Sequence, residues 1–379
     1  IAKTLKGRGV SFLEDKDGWH GKTLSREDCE KALLELGEID YDVRGTLEEP
    51  QEMTLRHSAR SEESDGTFDY SPDKPVATRR AYGNALVRLG KNNPNMVVLD
   101  AEVSNSTYAE FFKKEYPERF FEMYIAEQNM VGTALGFARR GKKPFVSTFA
   151  AFLTRAHDQI RMSQYADAGV VFCGSHAGVS IGEDGASQMG LEDLALFRGL
   201  LGSVVLYPSD AISCERLCER ALAHPGLVYI RTTRKDTPLL YTADHPFVVG
   251  GSATLREDPT DRITIVGAGI TLHEALMAHD MLKGEGISTR IIDLYSVKPL
   301  DIETLEKAAR ETHAIVTVED HFPEGGIGEA VAAALSHTGT PVHSLAVRSM
   351  PHSGTPEQLM ARARIDSAAI VAEVRAVLA

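Results

Sequence analysis

A chain of 379 residues is long enough for about two or three domains, and its 43% hydrophobic content supports a sizeable core. Its formal net charge of -13 excludes general nucleic-acid binding and attraction to an anionic membrane surface, while leaving room for a local basic site. No run of about 18 apolar residues occurs, so no membrane-spanning helix is predicted. The four cysteines (Cys29, Cys173, Cys214 and Cys218) have neither metal-site nor disulfide-framework spacing. They read as small buried hydrophobes in a reducing compartment.

In chain order, residues 1–37 hold a Gly-rich turn, an acidic loop and one amphipathic helix, too little for a domain alone. Ser25-Arg26-Glu27-Asp28 reads as the capping box of that helix, with Asp in place of Glu. Residues 38–75 are polar and charged, carry Pro50, Pro72 and Pro75, and have the composition of an extended linker. Over 76–240 the pattern changes. Helical spacing across Ala77–Gly90 precedes strand-like runs at Met96–Leu99, Phe145–Thr148, Val170–Cys173, Val204–Tyr207 and Leu227–Ile230. Met123-Tyr124-Ile125 adds a shorter apolar run before a helix at Asn129–Ala138. Continuous apolar strands separated by helices predict an α/β fold with a parallel, doubly wound sheet covered on both faces. Residues 241–261 read as a connection. A second, smaller α/β unit is predicted over 262–379, with strands at Ile263–Val266, Thr289–Leu294, Ala314–Val318 and Val342–Val347. The turn Gly267-Ala268-Gly269 lacks the third glycine of a dinucleotide fingerprint, since Leu272 stands there, and reads as a tight βα turn.

The chemistry-bearing residues concentrate between Tyr124 and Gly190, where three segments each follow or end an apolar run. Ligands of open α/β sheets bind outside the carboxyl ends of the strands. Glu127, in Ala126-Glu127-Gln128-Asn129-Met130, opens a helix, where the dipole favours an ionised carboxylate. Phe149 and Phe152 flank the small pair Ala150-Ala151, leaving a flat apolar surface on which a ring could stack. The loop Gly174–Gln188 is rich in Gly and Ser and carries His176, Glu183, Asp184 and Gln188. A Ser-His-Asp hydrolase would need a nucleophile elbow that the chain does not contain. Phosphate recognition would call on arginines at strand ends, because the guanidinium fork matches phosphate oxygens.

These segments and their order resemble the pyrimidine-binding domain of transketolase, a thiamine diphosphate enzyme, in its animal-type branch. The resemblance continues to the C-terminus. It implies that Glu127 hydrogen-bonds N1′ of the cofactor's aminopyrimidine, which requires a carboxylate in a poorly hydrated pocket. Phe152 would stack on the pyrimidine, with Phe149 as its wall. His176 would meet the sugar-phosphate end of the substrate and Asp184 a hydroxyl near the carbonyl. Gln188 stands where some transketolases have His. Arg79, Ser106 and Arg234 match phosphate contacts. Glu102 takes a cofactor or substrate position that is usually Asp. In the N-terminal tail, Lys6 would lie near the diphosphate, and His20 would face the reacting centre and move protons or stabilise oxyanion charge.

Residues 1–37 would then be the tail of the diphosphate-binding domain, 76–240 the pyrimidine-binding domain and 262–379 the C-terminal domain. The bulk of the diphosphate domain, with the ligands for Mg2+ or Ca2+, would lie outside this chain, separated by cleavage, gene splitting or truncation. No metal site is expected on these residues. The implied activity is transfer of a two-carbon ketol unit from a ketose phosphate to an aldose phosphate in the pentose phosphate pathway. The implied state is a homodimer working with an N-terminal fragment or subunit, in the cytoplasm by default. Two alternatives stay open. One is another enzyme of the superfamily, like deoxyxylulose-phosphate synthase or the β subunit of a 2-oxo acid dehydrogenase. The other is a non-catalytic assembly subunit of the same fold.

Overall fold

The computed structural model of the chain describes residues 5–19, 22–38, 40–42, 45 and 70–379. Its contacts divide it into two compact units, Ile1–Leu55 and Arg56–Ala379. In the first, α1 (Arg26–Leu36) starts at Ser25, whose hydroxyl accepts from the Asp28 N–H at 3.1 Å. Asp28 is one methylene shorter than the Glu of a full capping box, and its carboxylate accepts from the Ser25 hydroxyl at 2.8 Å. The Ser11 hydroxyl donates to Glu35 at 2.7 Å and ties the preceding turns to this helix. His20 and most of the stretch read as a linker lie outside the described residues.

The second unit runs β1 (Val76–Ala77), α2 (Thr78–Asn92), β2 (Met96–Asp100), α3 (Ser104–Thr107), α4 (Glu110–Glu115), β3 (Phe120–Glu122), α5 (Glu127–Arg139), β4 (Lys143–Phe149), α6 (His157–Tyr165), β5 (Val171–Ser175), α7 (Asp193–Arg198), β6 (Val204–Leu206), α8 (Ala211–Ala223), β7 (Val228–Arg231) and β8 (Asp236–Thr237). It continues with β9 (Ala253–Arg256), β10 (Ile263–Gly267), α9 (Ile270–Gly284), β11 (Thr289–Asp293), β12 (Ser296–Lys298), α10 (Ile302–Glu311), β13 (Ala314–Val318), α11 (Ile327–Leu335), β14 (Val342–Leu345), α12 (Pro356–Ala363) and α13 (Ser367–Leu378).

Seven strands form the first sheet in the order β12-β6-β7-β5-β4-β2-β3, all parallel except the edge strand β12. Alternate side chains of its strands enter two different cores. Val97, Leu99, Val146, Phe172 and Tyr229 pack with α5, α6 and α7 residues, whereas Met96, Val98, Phe145, Cys173 and Ile230 pack with α2 and α8 residues. With apolar partners on both faces, the strands are apolar along most of their length and carry polar residues such as Asp100, Ser147 and Arg231 toward their carboxyl ends, the pattern of a doubly wound sheet. The strand order turns at β2, which has β3 on one side and β4 on the other.

Two sequence readings are corrected here. Met123-Tyr124-Ile125 is not strand but the loop after β3, which lies three residues earlier than the apolar run. Tyr124 has φ 53°, outside any extended conformation, and Tyr124 and Ile125 are exposed. Among the cysteines, Cys29 is exposed, while Cys173, Cys214 and Cys218 are buried and all four are free.

The second sheet has the order β14-β13-β10-β11-β9, parallel apart from β9. β9 comes from the stretch read as a connection, and β12 leaves this region to pair antiparallel with β6 of the first sheet. Lys298 secures that crossing, donating to the Arg198 carbonyl at 2.9 Å and the Ser203 hydroxyl at 3.1 Å. The turn at Gly269 is occupied from within. Its N–H donates to Ser209 Oγ at 2.8 Å, and a Cβ there would fall 2.0 Å from Tyr207. Among the described residues, no helix is long and apolar enough to cross a membrane.

Candidate active site

The residues singled out in the second unit gather at the carboxyl ends of the parallel strands. Glu102 and Ser106 follow β2, Glu127 follows β3, Phe149 ends β4 with Phe152 after it, His176 to Gln188 follow β5, and Arg234 follows β7. Arg79 enters at the start of α2. In a doubly wound sheet this is the edge at which ligands bind, near the point where strand order reverses.

Glu127 is the first residue of α5 and is 1% exposed. One carboxylate oxygen accepts a short hydrogen bond from Arg155, and the other, Oε2, is buried without a partner. A buried acceptor left unpaired costs about 1–3 kcal/mol. Such a group marks a place where a ligand donor would be welcome. The Arg155 side chain is 53% exposed, and a pair half in water is worth only about 0–1 kcal/mol, so it does not lock the carboxylate away. Arg155 also lies over the Phe152 ring, 5.8 Å from its centroid. It thus ties the carboxylate to the aromatic wall.

Phe149 stacks with two rings, Phe152 at 5.0 Å and His176 at 3.9 Å between centroids, both within 14° of parallel. His176 has φ 56°, a left-handed conformation uncommon for a residue with a side chain, and is 2% exposed. Its Nδ1 lies 3.0 Å from Ser175 Oγ. Burial, reinforced by the Arg79 and Arg234 guanidiniums, pulls the His176 pKa down to about 3. Cations rather than a carboxylate act on this ring, which is the reverse of a hydrolase triad. The folded state therefore holds His176 neutral. Its contribution to stability is present above the unfolded value near 6.5 and is lost as pH falls toward about 3. In an NMR titration from about pH 8 to about pH 5, the His176 ring signals are expected to stay put. A midpoint near the ordinary histidine value would mean that the ring is not buried against cations.

The cationic side of the site is built from two arginines. Arg79 donates to the Ser106 carbonyl at 3.0 Å, lies 5.2 Å from the Tyr108 ring centroid and keeps a buried Nε without a partner. Burial pulls its pKa below the ordinary guanidinium value, Tyr108 opposes this, and Arg234 adds to it. Arg234 donates to the Ile181 carbonyl at 2.8 Å and to Asp184 at 3.1 Å, with Glu183 3.7 Å away. Asp184 and Arg234 are thus paired with each other. Glu102 is exposed, with φ 61°, and its N–H donates to Glu122 at 3.0 Å. The loop bearing Glu102 and Ser106 is organised by Asp100, which is fully buried and accepts from the Val103 N–H and the Thr107 hydroxyl, each at 2.7 Å. Burial drives Asp100 up to about 7 despite those bonds. Gln188 ends a short helical turn, Ala186–Gln188, and is partly exposed.

Contacts thus run without a break from Glu127 through Arg155, Phe152, Phe149 and His176, and Arg79 and Arg234 act on that ring, Arg234 holding Asp184. Lys6 is exposed in a turn of the first unit, and its carbonyl accepts from the Asp15 N–H at 3.0 Å. His20 lies outside the described residues. The sequence reading missed the pairing role of Arg155, three residues after Phe152. It also missed a buried group beneath the loop. There Arg231 is fully buried, donates to both oxygens of Asp193 at 2.7 and 3.1 Å, and lies 4.6 Å from the Tyr207 ring centroid. Among the described residues, no group of three or more His, Cys, Asp or Glu side chains is arranged to hold a metal ion.

Residues 74–238 match the family model for the transketolase pyrimidine binding domain, and residues 251–370 that for the transketolase C-terminal domain. Among solved structures, a chain described as "Split gene transketolase, inactive beta4 tetramer" superposes with a TM-score of 0.73 at 42% identity, over 80% of this chain and 99% of that one. The chain belongs to the transketolase family. Transketolase of Homo sapiens is 45% identical over 100% of this chain and 61% of its own length. Transketolase-like protein 2 of Mus musculus is 47% identical over 99% of this chain and 60% of its own length. The chain therefore spans about three-fifths of the length of these relatives. A transketolase from Campylobacter jejuni has a TM-score of 0.70 at 20% identity, which speaks to the fold alone.

Proposed function

We propose that this chain forms the pyrimidine-binding and C-terminal part of a working transketolase, a transferase that moves a two-carbon ketol unit from a ketose phosphate to an aldose phosphate in the pentose phosphate pathway. It would do so together with the diphosphate-binding part, carried on the same or a second polypeptide, in a cytoplasmic homodimer. The observation that carries this reading is the buried Glu127 carboxylate, with one oxygen free, joined through Arg155 to the Phe152–Phe149–His176 stack.

The residues fit thiamine diphosphate. Glu127 would take its aminopyrimidine, Phe152 and Phe149 would form the ring wall, and Glu102, Gln188 and Lys6 are the other proposed cofactor contacts. Mg2+ or Ca2+ would be held by the diphosphate-binding part. When bound, the cofactor supplies the carbanion chemistry that breaks and makes the sugar C–C bond. This chain's residues supply the rest. Glu127, at a helix N-terminus and shielded from water, holds or shares a proton through Oε2. His176, kept neutral, offers a hydrogen bond to the sugar without bringing a charge. His20 would exchange protons at the reacting centre. Arg79, Arg234 and Ser106 hold the phosphate, and Asp184, released from Arg234 when a phosphate arrives, becomes available to a substrate hydroxyl.

The direct experiment combines the chain with the N-terminal part of a transketolase, thiamine diphosphate and Mg2+. Two-carbon transfer from xylulose 5-phosphate to ribose 5-phosphate is expected. Reaction with pyruvate as donor instead would move the chain to another branch of the superfamily. A second reading, a non-catalytic assembly subunit, draws on the solved relative described as an inactive tetramer, and failure of the combined protein to bind thiamine diphosphate would favour it. Within the proposed reading, Arg234→Ala is expected to raise KM for phosphorylated ketoses by about 10- to 100-fold, the scale of a hydrogen bond to a charged group. KM for an unphosphorylated ketose should change little, and equal effects on both would take Arg234 out of the phosphate site.

A further inference from the structure

The loop carrying His176 and Asp184 is held from beneath by a residue just after a strand of the second sheet. Asp320 follows β13 and is fully buried. Its two carboxylate oxygens are divided between two successive backbone donors of the loop, Oδ1 accepting from the Val179 N–H at 2.7 Å and Oδ2 from the Ser180 N–H at 3.1 Å. Asp320 is fixed in turn. Its carbonyl accepts from Arg231 Nη2 at 2.9 Å, and the same nitrogen donates to the carbonyl of Gly190, near the far end of the loop, at 3.0 Å. Gly178 makes this approach sterically feasible. It has φ +83°, and a Cβ there would lie 2.1 Å from Asp320 Oδ2. The loop thus reaches the strained backbone of His176 on one side and Asp184 on the other from a segment whose N–H groups have been fixed by the second sheet.

We propose that Asp320 is a positioning residue for the sugar-phosphate end of the site. By pinning Val179 and Ser180, it sets where His176 and Asp184 stand, and so makes the C-terminal region part of substrate recognition rather than only of assembly. This rests on the functional reading above. Asparagine at this position keeps the shape but has one acceptor where the loop presents two donors. In the chain combined with the N-terminal part of a transketolase, Asp320→Asn is expected to raise KM for xylulose 5-phosphate and ribose 5-phosphate by about 10-fold or more, since small misplacements of site groups are felt at that scale. The Kd for thiamine diphosphate, whose main proposed contacts Glu127, Phe149 and Phe152 lie outside this loop, should stay within about two-fold of the wild type. Should Asp320→Asn fail to fold, Val179→Pro carries the same expectation. It deletes one of the two donors at the first position of a helical turn, where proline is tolerated. Unchanged KM values in an active assembly, or cofactor and sugar affinity lost together, would overturn the role of Asp320 while leaving the transketolase reading in place. An inactive wild-type assembly would overturn both.

Discussion

Glu127→Ala is expected to reduce two-carbon transfer by about 10²- to 10⁴-fold, the range for losing a positioned proton-transfer group, without unfolding the chain. The two halves of this expectation have separate causes. In the proposed reading, activity depends on the free carboxylate oxygen. Stability does not, because Oε2 is buried without a partner and its removal relieves a desolvation cost instead of creating one. The surviving Arg155 is half exposed and returns to water. Steady-state transfer by the combined protein and thermal melting of this chain would be measured on the same variant. The melting temperature should be unchanged or raised. An unchanged kcat would remove Glu127 from the chemistry and with it the main support for the functional reading.

Asp193→Ala should have the largest effect on stability, about 3–5 kcal/mol, the cost of leaving a buried charge uncompensated. Asp193 is 1% exposed and accepts from Arg231 and from the Tyr229 hydroxyl, the latter at 2.6 Å. Burial raises its pKa, but the fully buried Arg231 more than offsets this and brings the carboxyl below its ordinary range. Without Asp193, that guanidinium has carbonyls and the Tyr207 face but no paired anion. A domain is stable by only about 5–15 kcal/mol, so the urea midpoint should fall sharply. The double variant Asp193→Leu with Arg231→Met is expected to recover much of the loss, because a buried pair can be matched by apolar packing. A single variant within about 1 kcal/mol of the wild type would mean that water reaches the pair.

The two predictions fall on opposite sides of what the sequence reveals. Glu127, Phe149 and the His176 loop were legible because each sits where an apolar run stops, and the end of a strand is a local feature of the chain. Even there, local reading slipped. Tyr124 and Ile125 are apolar, yet Tyr124 turns out of the extended region, and the strand stops at Glu122. Periodicity records what could be buried, and in this loop the apolar side chains face outward.

Arg155, Asp193 and Asp320 could be read off the chain as residues but not as partners. Their counterparts lie 28, 38 and 140 or more residues away. A carboxylate has the same composition whether it ends in water, against an arginine or across two backbone donors. The same holds for β12, a short segment that leaves its own region to extend the first sheet. The sequence alone determined the alternation of strands and helices, the doubly wound sheet, and the motifs at its edge, because these follow from periodicity and strand ends. Only the tertiary structure decided which charges meet, which oxygen of Glu127 is left free, and that Asp320, just after β13 of the second sheet, reaches beneath the loop carrying His176 and Asp184. Desolvation and pairing depend on what surrounds a group in space, and for these residues the surroundings come from distant parts of the chain.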